Sequence, residues 1–196
     1  MLQLKNLVVF TAIAVALAAC GPSTETATTP APATTTAPTA TPASPATATS
    51  TVSVSDLGVQ NISEVKFSPL AEGAESANGF FDGINNQFTP EHTLPKTETL
   101  VFTGWAIIPS TNKPANQVIV TQGDQNAVVA IAPVNAERAD VAEANKNPSY
   151  RNSGWTVTVN PATLPADKVV LKAWAYNSDT KEASQLNRVH TITFNQ

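Results

Sequence analysis

About seven short strands separated by turn residues predict an all-β chain folded as a single β-sandwich. Two observations carry that expectation. Between Gly79 and Phe194, apolar and polar residues alternate with the period of two that a half-buried strand requires. Gly, Asn, Asp and Pro break the alternation at short intervals, and a single stretch carries the signature of a helix start.

In chain order, short strands are expected at Ile62–Phe67 and Gly79–Ile84. From Thr99 to Ile108, Leu100, Phe102, Gly104 and Ala106 alternate against Val101, Thr103, Trp105 and Ile107. Gln117–Gln122 and Ala127–Ala132 flank Gly123-Asp124-Gln125-Asn126, the pattern of a hairpin with a four-residue loop. Asp140-Val141-Ala142-Glu143 has the form of a capping box, so one or two helical turns are expected over Asp140–Lys146, closed by Pro148. Arg138 and Asp140 are then accounted for by that cap and a nearby ion pair. Trp155–Val159 places Trp155, Val157 and Val159 on one face and Thr156 and Thr158 on the other. Lys168–Tyr176 and Val189–Phe194 complete the set, with Asn177–Asn187 as the turn between them.

Residues 52–196 form this domain, and the chain ahead of it has a different composition. Leu7–Leu17 is apolar except for Thr11, and only Lys5 precedes it as a charge. A run of roughly 11 residues suits a signal-peptide core and is too short to span a bilayer. Leu17-Ala18-Ala19-Cys20 resembles the lipobox of bacterial lipoproteins. The resemblance implies a signal peptide over residues 1–19, cleavage before Cys20 and lipidation of Cys20, the only cysteine of the chain. Gly21, where Asp would favour inner-membrane retention, implies the outer membrane if the envelope is Gram-negative. Residues 22–51 are Pro, Ala, Ser or Thr except for Glu25. They hold no large apolar side chain to offset ordering entropy, so 20–51 is expected to be a lipidated, disordered spacer. Fully extended, it would reach about 90 Å.

The net charge of −4, with no basic run, argues against nucleic acid as a partner. Two histidines, His92 and His190, and a cysteine assigned to lipid offer no His/Cys zinc set. Asp124 with Asn126, Asn177 with Asp179, and Asp82 with Asn85 and Asn86 cluster oxygen ligands. Turns prefer those residues anyway, and none has the spacing of a calcium loop. There is no Gly-x-Ser-x-Gly elbow. Neither a metal, a cofactor nor an enzymatic activity is expected.

Gly104-Trp105-Ala106, Arg138-Ala139-Asp140-Val141-Ala142 and Asn152-Ser153-Gly154-Trp155 fall in order downstream of Gly79-Phe80-Phe81-Asp82-Gly83. Together they resemble an immunoglobulin-like β-sandwich module of bacterial cell-surface proteins with a GWA…R-P-D-V…S-G-aromatic signature. Ala139 departs from it, standing where the family has Pro. The resemblance implies an immunoglobulin-like fold and a core position for Trp105 and Trp155, and it transfers no catalytic residue. The remaining candidate site is Trp174 and Tyr176, which share a strand face with Lys172 and Val170. Aromatics beside a polar group on an exposed sheet face can stack on sugar rings. The expected function is a membrane-anchored envelope protein presenting a binding module for glycan, peptidoglycan or protein. The alternative is a structural accessory that contacts another envelope protein.

Overall fold

The computed structural model describes residues 53–164 and 167–195. The expected signal peptide, Cys20 and the expected spacer lie outside the described residues. Among the described residues, eleven strands make one continuous curled sheet with one short α-helix, an all-β fold. They are β1 (Lys66–Ser68), β2 (Gly79–Ile84), β3 (Glu91–Pro95), β4 (Leu100–Ile108), β5 (Lys113–Pro114), β6 (Gln117–Gln122), β7 (Ala127–Ala136), β8 (Gly154–Val159), β9 (Lys168–Asn177), β10 (Glu182–Gln185) and β11 (His190–Asn195). Helix α1 (Ala139–Ala144) lies between β7 and β8.

The sheet folds over itself into two layers. β2, β4 and β8 make the first, each antiparallel to its neighbour. In the second, β9 pairs β6 along one edge, and pairs β11 and then β10 along the other. β3 and β1 extend β11 and β10 in parallel. β7 joins the layers: its first part pairs β6, and Val134 and Ala136 pair β8 across an irregularity in register.

Between the layers lies the main core. Phe81 of β2, Leu100 and Phe102 of β4 and Trp155, Val157 and Val159 of β8 meet Val118 and Val120 of β6, Leu171, Ala173 and Ala175 of β9 and Ile192 of β11. These are the inward members of the alternations seen in the sequence, so the pairing of side chains to faces follows the pattern. A second apolar cluster lies on the outer side of the second layer. There Leu57, Val59 and Val65, with Ile62 and Phe67 partly buried, pack on Ile119, Ile131, Trp174, Tyr176 and Ala183.

Three local expectations are corrected, and one strand, β3, is additional to those expected. Ile62–Glu64 is a 3-10 turn, and strand pairing starts only at Lys66. The capping box is there too, with Asn61 accepting from the turn and Glu64 reaching back to the Asn61 amide. At α1 the N-cap is Arg138 and no side chain caps it, because the Asp140 carboxylate is drawn to the Arg138 guanidinium instead. Asn177–Asn187 holds β10 as well as turns. β3 escaped notice because its buried positions are His92 and Leu94, and a histidine reads as polar in a hydrophobic pattern.

Candidate functional site

Trp174, Tyr176 and Lys172 do share one face of β9, as the alternation requires, but that face is covered. Trp174 and Tyr176 are each 1% exposed. The segment preceding β2 lies over them: Phe67 meets Trp174 edge-on at 5.0 Å, and the Tyr176 hydroxyl donates to the Leu57 carbonyl at 2.9 Å. The Trp174 indole N–H donates to Thr121 Oγ1 at 2.8 Å, which satisfies its one polar group. Lys172 is half-buried, with its ammonium 3.7 Å from Asp124. The expected open aromatic platform is therefore not present. A strap of the same chain occupies the space where a ligand would stack.

The residues on which the sequence resemblance rests gather at the first layer, most of them on its outer side. Phe80 stands opposite Trp105, and Trp105 opposite Gly154. β2 bulges between Phe81 and Gly83, so Asp82 is the extra residue of the pair. Trp155 faces inward at 2% exposure, whereas Trp105 is half-buried on the outside against Val141, Ile107 and Tyr150. Both tryptophans were expected in the core, and only Trp155 is there. Two glycines make these placements possible. A Cβ at Gly104 would lie 2.7 Å from the Trp155 indole, and one at Gly154 would lie 2.9 Å from Arg138 Cγ.

Arg138 thus lies against β8 and reaches across the face to β2. It donates to Asp82 Oδ2 at 2.7 Å through one terminal nitrogen, and grips Asp140 through Nε and the other at 2.9 and 2.8 Å. Burial pushes the Asp82 carboxyl up, against the pull of Arg138. Asp140, beside the same guanidinium, is held below the usual carboxylate range. Arg188 reaches the other side of β2, with its guanidinium 4.6 Å from the centre of the Phe80 ring.

The two histidines are far apart in sequence and give no zinc set, yet the fold pairs them. His92 Nε2 and His190 Nδ1 are 2.9 Å apart, and both residues are buried. His190 Nε2 lies 2.9 Å from the Phe81 carbonyl, which can only accept, so that nitrogen carries the proton and His190 Nδ1 accepts from His92. Burial lowers both groups, His190 to about 4. No sequence signal could reveal the pair, because 98 positions separate its members. It ties β3 and β11 to β2.

A shallow pocket of about 390 Å³ opens beside the β6–β7 loop, with Asp124 and Lys168 among its lining residues. Among the described residues, no group of three or more His, Cys, Asp or Glu is placed to hold a metal, and no helix is long and apolar enough to cross a membrane. No protein-family model matches the chain, and no curated protein sequence matches it.

Proposed function

We propose that this chain is a lipid-anchored bacterial envelope protein that presents a non-catalytic, immunoglobulin-like β-sandwich as a binding module. The carrying observation is the order of its segments: an apolar leader, Leu17-Ala18-Ala19-Cys20, a spacer of Pro, Ala, Ser and Thr, and one all-β domain. A diacylglycerol and an N-acyl chain on Cys20 supply two anchors, where one would hold only marginally. The spacer then lets the domain work within about 90 Å of the membrane. Gly21 fits an outer-membrane destination in a Gram-negative cell.

The ligand of such a module is a glycan, peptidoglycan or an envelope protein. A structural accessory is the second reading, and β3 favours it. This strand pairs only β11 among the described residues, leaving its other edge for a strand from a partner.

The test is expression of the full chain with labelled palmitate. Wild type should incorporate label and fractionate with membranes, and Cys20→Ser should do neither. Membrane retention of an unlabelled Cys20→Ser protein would overturn the anchor. Binding of the wild-type protein to purified envelope glycans or peptidoglycan supports the first reading, and capture of an envelope protein through the β3 edge with no glycan binding supports the second.

A further inference from the structure

We infer that Arg188 is the receptor for a carboxylate, and that the module takes a carboxylated saccharide at the Arg188–Phe80–Phe88 corner. The proposal rests on the binding-module reading and names the ligand class. Arg188 Nη1 donates to two backbone carbonyls, Asp82 O at 2.9 Å and Phe88 O at 2.7 Å, which uses both of its hydrogens. Nε and Nη2 have no protein acceptor among the described residues, and no carboxylate lies within ion-pair distance of Arg188. The Nε–Nη2 edge is one that forms paired, parallel hydrogen bonds to a carboxylate.

Its neighbours differ in this respect. Arg138 has spent its guanidinium on Asp82 and Asp140, and Arg151 is engaged by Glu137. Asp82 feels the charge of Arg188 but is turned to Arg138 at 2.7 Å and makes no ion pair with Arg188. Arg188 is also held in place. Its guanidinium stacks on the Phe80 ring, and its backbone is left-handed at φ 67°, a conformation that side chains other than glycine seldom adopt. A fixed guanidinium loses little freedom when it binds.

A sugar acid fits better than a bare anion because of Phe88. Its side chain is 61% exposed and lies beside Gly83 on the same strand as Phe80, while its carbonyl is held by Arg188. An exposed ring beside a carboxylate receptor offers an apolar face for a pyranose ring whose acid is gripped by the guanidinium.

The experiment titrates the full-length lipidated protein, in detergent, with oligogalacturonate, its methyl ester and the carboxylate dipeptide N-acetyl-alanyl-alanine. Oligogalacturonate should bind, and the methyl ester should bind at least tenfold more weakly. R188K should lose about tenfold, since an ammonium cannot make the paired bonds. F88A, at an exposed side chain, should lose about fivefold without a change in melting temperature. Equal binding of acid and ester, or R188K and F88A that match wild type, overturns the inference and leaves the binding-module reading standing. Binding of the dipeptide but not the oligosaccharide overturns the saccharide assignment. If neutral glycans, peptidoglycan and envelope proteins fail to bind as well as oligogalacturonate, the binding-module reading falls with it.

Discussion

The outer face of the second layer buries Trp174 to 1% exposure beneath the strap, whereas the outer face of the first layer leaves Val101 37% exposed with Trp105 half-buried nearby. Both faces carry a strand tryptophan among polar neighbours, and in sequence they look alike. The difference is what crosses them. Residues 53–68 cover one face with Leu57, Val59 and Val65, and α1 with the turn at Pro148–Asn152 covers only part of the other. A period of two says which side chains share a face. It does not say whether a remote segment will lie on that face.

The largest break in this comparison is removal of the strap. A chain lacking residues 53–68 should expose Trp174 and Tyr176, bind a hydrophobic dye and lose cooperative unfolding, and a dye-free, cooperative variant would show that the strap is dispensable. Next is a matched pair of truncations. Trp174→Ala should cost about 4 kcal/mol in denaturant unfolding, in the range for a fully buried aromatic, and Trp105→Ala about half of that. Equal losses would erase the contrast between the faces.

Acid should act on the histidine pair that holds β3 and β11 against β2. His190 titrates at about 4 in the fold against 6.5 when unconstrained, so the unfolded chain binds the proton more tightly. Its stabilisation is complete above pH 6.5, declines as pH falls toward 4 and is flat below that, a loss of about 3 kcal/mol. Unfolding curves at pH 7 and 4.5 should show most of this loss for wild type and much less for His190→Asn. The smallest effects concern the open face. Arg138→Ala strips two carboxylates of their partner and should cost about 2 kcal/mol. Asp140→Asn, at a side chain 66% exposed, should cost less than about 1 kcal/mol by thermal melting.

Most of the strands were legible because their residues alternate locally. Gln117–Gln122 and Gly79–Ile84 have the bounds expected, and the loop at Gly123–Asn126 joins β6 to β7 as its residues predict. β3 and β10 were not legible, since Glu91–Pro95 and Glu182–Gln185 hold too few apolar residues to stand out. Their strand state comes from pairing with β11, β9 and β1. The site residues divide in the same way. Asp82, Trp105, Arg138 and Gly154 were each noticed in sequence, but a capping box seemed to explain Asp140. In the fold a guanidinium two residues away is a stronger partner for that carboxylate than an N-terminal amide.

The sequence by itself determined the all-β class, the strand faces and the change of composition at residue 52, because alternation and bulk apolar content act over a few neighbouring positions. Tertiary structure alone decided that Trp174 lies under a strap, that His92 meets His190, and that one guanidinium edge of Arg188 has no protein partner among the described residues. Each depends on segments tens of residues apart arriving at one place, and that is set by how the whole sheet curls and closes rather than by any local pattern.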